Sequence, residues 1–379
     1  ALGIGTIKTD IAGAALAESG GNITGASTVT VSAFGRNDSP SEALVVQVGA
    51  IAAAAASATS KITSGASVKA FVTGGTWNVA GAAISVTADG RNNAPASTTG
   101  VAGAIGIAAV TVMISDSEID GAVVAQLNAN VTASTSVLVD ANGVNIADAD
   151  TISVAIAAGL LGLAVSGASA VIGVNAAVDA TVGGNVTIAD FFTVEATGDN
   201  DATSDADTAA GGLVGVAVGV LQSVISGRVR AATSVNVTKS TTDSSTASVT
   251  ALGNNNAISR SLAIAVGLGA GSGADANATI TSTADVIAEA TAGTWNVTGG
   301  AVSVKATGTN AATTSALGTS IGGLAISVIL AQSEIDGAVK AQFGGSVSSS
   351  ASFLVEADGG NTADARTPVV GVGAIAIGL

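Results

Sequence analysis

The chain of 379 residues contains no His, no Cys and no Tyr, one Met (Met113), two Trp, and only 10% charged residues. Those absences exclude thiol chemistry and zinc sites of the usual kind, and they leave acid–base work near neutral pH without its commonest side chain. A formal net charge of −15 argues against nucleic acid or an anionic membrane as a partner.

Read from the first residue onward, an alternating segment ending in Gly-x-Asn is met seven times: VTVSAFGRN (29–37), ISVTADGRN (84–92), VLVDANGVN (137–145), TVEATGDN (193–200), SVTALGNN (248–255), VSVKATGTN (302–310) and LVEADGGN (354–361). Successive spacings of 55, 53, 55, 55, 55 and 51 residues define a unit of about 54 residues. Self-similarity at such a period marks a repeat architecture. Each segment reads as a strand closed by a turn at 35–37, 90–92, 143–145, 198–200, 253–255, 308–310 and 359–361. A short polar stretch follows each turn, for example DNDATSDADT (199–208), and then a long apolar run of Ala, Gly, Val and Ile.

A longer period lies over the first. GTWNVAGAAISV around Trp77 returns as GTWNVTGGAVSV around Trp295, and SEIDGAVVAQ (117–126) returns as SEIDGAVKAQ (333–342), offsets of 218 and 216 residues, or four units. The closing VVGVGAIAIGL reads into the opening ALGIGTIKTDIAGAAL, so residues 1–379 are expected to form one continuous array and to be a window of a longer chain.

With aromatics at 2% and Gly at 50 residues, the interior has to be filled by small aliphatic side chains, which suits closely stacked sheets. In the run from Leu262 to Gly271, Leu262, Ile264, Val266, Leu268 and Ala270 alternate with Ala and Gly, a period of two and hence a strand. An Ala/Gly face permits close approach of another sheet or chain, so these strands are expected to be covered on both sides, with side-by-side bundling of chains as one option. The uncharged spans 92–115 and 151–178 are long enough to raise the question of membrane crossing. Their Ala/Gly/Ser/Thr content and their recurrence in every unit favour buried solenoid strands. The fold class is therefore all-β: a repetitive β-solenoid or β-helix of about seven units with no separate globular domain.

Stacked units superpose equivalent residues. Asn37, Asn92, Asn145, Asn200, Asn255, Asn310 and Asn361 are thus candidates for an amide ladder at a coil corner; alternatively, Asn is there only because it tolerates a turn. Asn-x-Thr sequons at Asn22, Asn130, Asn185, Asn236, Asn277 and Asn296 are candidate glycosylation positions, against the alternative that they recur because the unit recurs. Asp199, Asp201, Asp205 and Asp207, with Asp148 and Asp150 in the preceding unit, suit a hard cation such as calcium, or simply form solvated loops. No other cofactor is indicated. Gly267–Gly273 lacks the Lys-Ser/Thr of a phosphate loop, and no SxxK motif accompanies the many serines. Paired carboxylates of a polysaccharide-active β-helix are the remaining catalytic option, and the acidic residues recur unit by unit instead of gathering in one, so the expectation is a non-enzyme.

The succession of a GVGAIAIGLALG-like strand, an IDGAV segment, a GGNVT turn and a VTVSA-G-N strand resembles the tandem arrays of giant bacterial surface adhesins of the filamentous-haemagglutinin type. The resemblance extends over all seven units. It implies secretion, a repetitive β fold, and roles in adhesion, cell–cell contact or extracellular matrix; the expected function is a structural extracellular or cell-surface filament, with an adhesin stalk that binds carbohydrate or a cell-surface receptor as the alternative. The expected partners are copies of the chain or neighbouring repeats of the same long chain, with cell-surface glycans as a further option.

Overall fold

The computed structural model describes residues 1–239 and 246–379. It is an all-β solenoid in which three parallel sheets, one of thirteen strands and two of seven, run the length of the array. One sequence unit makes one coil. In the coil carrying Asn145, a long strand Ser136–Ala157 is followed by a return strand Leu161–Ile172 and two short strands, Val178–Val182 and Val186–Ile188. The next coil repeats the set as Phe191–Gly211, Val214–Ile225, Val229–Thr233 and Val237–Lys239. Corresponding strands pair in parallel, with Val137 on Phe192 and Val178 on Val229.

Each coil has two parts because its side chains are of two sizes. The first half of the long strand and the two short strands enclose a triangular core of larger residues such as Val137, Val139, Val178, Val182 and Ile188, together with Trp77 and Trp295. Beyond it, the second half of the long strand and the return strand lie face to face as a thin blade. The blade interior is mainly alanine, including Ala147, Ala149, Ala168 and Ala170 near the core and Ala155, Ala157 and Ala164 near the tip, interspersed with buried serine and threonine and with isoleucines such as Ile172 and Ile225 next to the core. Alternating burial along Leu161–Ile172 gives the strand periodicity directly. Short side chains on both facing sheets allow them to approach closely.

The spans that raised the membrane question are these blades. Residues 151–178 run to the tip, turn at 158–160 and come back, so their apolar inner faces cover one another. Among the described residues, no helix is long and apolar enough to cross a membrane. The alanines of these faces, such as Ala263 and Ala265, are thus covered within the chain, while Gly269 and Gly271 face outward. The run 262–271 is also not one strand. It bends at Gly267–Leu268, after which Ala270 points inward while Gly269 and Gly271 point outward.

A further correction concerns Gly-x-Asn. These residues do not form turns: Gly143 and Asn145 lie inside Ser136–Ala157, and Gly198 and Asn200 inside Phe191–Gly211. The glycines are needed for space. A Cβ on Gly143 would run into Cγ2 of Val178, and one on Gly198 into Cγ2 of Val229, because the first short strand crosses over the long strand at this point. The polar stretch that follows continues the long strand and is not a loop. The chain reverses elsewhere, at 158–160, 173–177, 183–185 and 189–190 in the Asn145 coil.

Candidate functional site: a buried amide ladder

Where triangular core meets blade, the seven asparagines point inward and stack. Asn37 Nδ2 donates to Asn92 Oδ1, Asn92 to Asn145, Asn145 to Asn200, Asn200 to Asn255 and Asn255 to Asn310, each at 2.8 Å, and Asn310 donates to Asn361 at 2.9 Å. The second amide hydrogen of each donor goes to a backbone carbonyl in the connection between return strand and first short strand: Asn92 to Gly121 at 2.9 Å, Asn255 to Ala284 at 3.2 Å, and Asn310 to Gly337 at 3.2 Å. Asn92, Asn145, Asn200 and Asn255 are completely buried. A side chain here must both donate twice and accept once, which carboxylates and hydroxyls cannot do. The ladder therefore ties each coil to the next and closes the gap between the two hydrophobic regions of the same coil.

Serine and threonine do the equivalent work inside the blade. Ser204 Oγ lies 2.8 Å from Ser223 Oγ across the blade and 2.9 Å from Ser259 Oγ on the next coil. Thr98 meets Ser115 at 3.0 Å, and Thr314 meets Ser333 at 2.9 Å. These pairs pin the long strand to the return strand. Just before the first short strand, Arg228 reaches Asp179 through two bonds of 3.0 and 2.8 Å, and on the strand Arg230 pairs with Glu289. Neither set stood out in the sequence. Hydroxyls are too common to mark a contact, and the ion-pair partners come from different coils.

The sequon asparagines divide. Asn22, Asn130, Asn185 and Asn236 occupy one exposed row at the start of the second short strand. Their side-chain carbonyls accept backbone N–H groups of the next coil: Thr76 donates to Asn22 at 2.8 Å, Asn185 to Asn130 at 3.1 Å, and Thr294 to Asn236 at 2.8 Å. Asn296 is out of this row, since Thr294 holds the corresponding position, and Asn277 lies on a return strand. The row thus has a structural use of its own, which the sequence pattern alone did not reveal.

The acidic residues lie side by side on the outer face of the long strands. Asp150 is in register with Asp205, and Asp205 with Arg260, its carboxylate 3.8 Å from the guanidinium. With Asp207 they line an open concavity of about 560 Å³. Burial pushes the Asp148 carboxyl up to about 6, and Asp150, Asp205 and Asp201 add to the shift. Burial, with Glu195 and Asp89, likewise raises Asp140 to about 6. Asp150, Asp201 and Asp205 move upward for the same leading reason. Among the described residues, no three acidic side chains converge as a metal-ligand set.

Comparison with protein-family models, with curated proteins and with solved structures gives no match.

Proposed function

We propose that the chain is a load-bearing segment of an extracellular or cell-surface filament, with a mechanical and not a catalytic role. The observation that carries this reading is the unbroken amide ladder from Asn37 to Asn361, in which every coil is bonded through its interior to the next. Parallel ladders run alongside it in all three sheets. In such an array each coil contacts its neighbours, so stability grows with the number of coils and force along the axis is shared among many bonds. The resemblance to surface-adhesin arrays supports the same location and role.

Electron cryo-microscopy of the source cell surface tests this reading. Continuous fibres with strand stacking near ~4.8 Å along the axis are expected. Discrete particles labelled by an antibody to the chain, or reproducible cleavage of a polysaccharide by the purified chain, would contradict it.

A further inference from the structure

The outer face of the blade on the return-strand side is apolar over the two-thirds nearest the tip, and the two levels nearest the core carry polar and charged residues such as Lys61, Asp116, Glu118 and Glu334. In the Asn145 coil the four outward residues nearest the tip are Leu161, Leu163, Val165 and Gly167, followed by Ser169 and Val171. At these four levels, across eight stacked segments from Leu2–Ile11 to residues 375–379, of which the first starts one level in from the tip and the last stops one level short of Gly167, Asp275 is the one charged side chain. Seven residues at ~3.3 Å by eight strands at ~4.8 Å give a face of roughly 900 Å². That exceeds the ~300–600 Å² of the largest apolar patch on a typical monomer.

The face is not flat. One register line runs Leu2, Ala53, Val110, Leu163, Val216, Gly271, Ile326, Ile377. Gly271 and its outward neighbours Gly269 and Gly273 leave a trough between Val214–Val218 and Leu324–Val328; a Cβ on Gly271 would have nothing within 4 Å. A shallower trough lies at Ala53 and Ala55, four coils earlier. A third notch, at Gly167, is flanked by Ile114 and Val220.

We infer that this face pairs with the same face of a second copy of the chain, the two solenoid axes running antiparallel about a two-fold axis that lies along the strands, between Leu161–Ile172 and Val214–Ile225. Under that operation Gly271 faces Val110 of the second copy, Ala53 faces Ile326, and Gly167 faces Val220. Each trough thus meets a ridge at its own level. The pair removes roughly 1,700 Å² from water, within the range of specific, stable interfaces. A partner touching all eight strands must itself repeat at the coil spacing, and a second copy does so. The four-coil interval between troughs matches the four-unit duplication in the sequence, so longer arrays keep the fit. The inference rests on the reading of the chain as a structural array and names its lateral partner.

Sedimentation velocity on the purified chain tests it. A dimer is expected at ~10 μM, and self-association at least ~100-fold weaker in Gly271→Lys and in Ile326→Lys. Gly271→Val keeps the face apolar and suits a strand, but fills the trough, and is expected to weaken pairing while leaving the circular dichroism spectrum unchanged. A monomeric wild-type chain overturns the inference, as does a dimer that persists in all three folded variants. A monomer that floats with phosphatidylcholine vesicles also overturns it and assigns the face to lipid. Fibres absent from the cell surface alongside an intact dimer would remove the filament reading and leave the interface standing.

Discussion

Asn145 Nδ2 lies 2.8 Å from Asn200 Oδ1 across 55 residues of sequence, and the same nitrogen is 3.4 Å from the carbonyl of Ala176 within its own coil. One amide thus sets the spacing between coils and holds the blade against the triangular core. Truncating a middle rung strands three partners. In Asn200→Ala, the Asn145 amide loses its acceptor, and Asn255 Oδ1 and the Gly227 carbonyl lose a donor. A loss of about 2–4 kcal/mol is expected in denaturant unfolding. Asn37→Ala, at a half-buried rung, is expected to cost less than half as much.

The glycine two residues before each rung is set by a packing contact, so its substitution should be reversible at the neighbour. Gly198→Ala places a methyl group against Val229 and is expected to destabilise by about 1–3 kcal/mol. Combining it with Val229→Ala is expected to cost less than the sum of the single changes by at least ~0.5 kcal/mol in a double-mutant cycle. Strict additivity would mean that a turn conformation, not Val229, demands the glycine.

The acidic face gives stability an inverted dependence on pH. Asp140 and Asp148 titrate near 6 in the folded chain against 3.8 for the unperturbed group. As pH falls through 6 the folded state takes up protons before the unfolded state does, so stability rises until pH approaches 3.8 and is lost as pH climbs back through 6. The melting temperature is expected to be higher at pH 5 than at pH 7.5. Asp148→Asn is expected to raise it at pH 7.5 and to flatten the profile, by less than ~1 kcal/mol because the group remains partly in water.

Trp295 lies fully buried, edge-on to Phe192 at 5.8 Å and to Phe343 at 5.6 Å, which links three coils through one aromatic stack. Trp295→Ala is expected to cost about 3–5 kcal/mol. Trp77 occupies the equivalent position four coils earlier, and its Nε1 donates to the Gly21 carbonyl at 3.1 Å. The tryptophan emission of the intact chain is expected to be blue-shifted, and to move to the red on unfolding.

The repeat and the strand period were legible because each recurs at a fixed interval, and stacking turns an interval into a contact; the asparagines were legible as one of two readings, a ladder, but at a coil corner and not in mid-strand where they stand. The position of the bends was not. Gly-x-Asn resembles a turn in any single unit, and only the Val178 side chain, 35 residues after Gly143, shows why a glycine is required in mid-strand. Likewise, Gly267 sits at a bend while Gly269 and Gly271, two and four residues on, lie in an extended strand. Their local sequence is the same kind of Ala/Gly alternation, and the difference comes from which sheet the chain has reached. Whether the alanine faces meet another sheet of the same chain or a second chain stays open in the sequence for this reason: alanine faces on two segments of one unit cannot be told from alanine faces on two molecules until the tip turn at 158–160 is placed.

Pulling a single chain by its two ends in an optical trap tests the load-bearing role most directly. Coil-by-coil rupture is expected, each step releasing one unit of about 54 residues, or ~18 nm of contour at ~3.4 Å per residue, with Asn200→Ala lowering the force of the steps at its own coil. Extension in a single event at low force, or step lengths unrelated to the unit and indifferent to Asn200, would contradict a ladder that carries load.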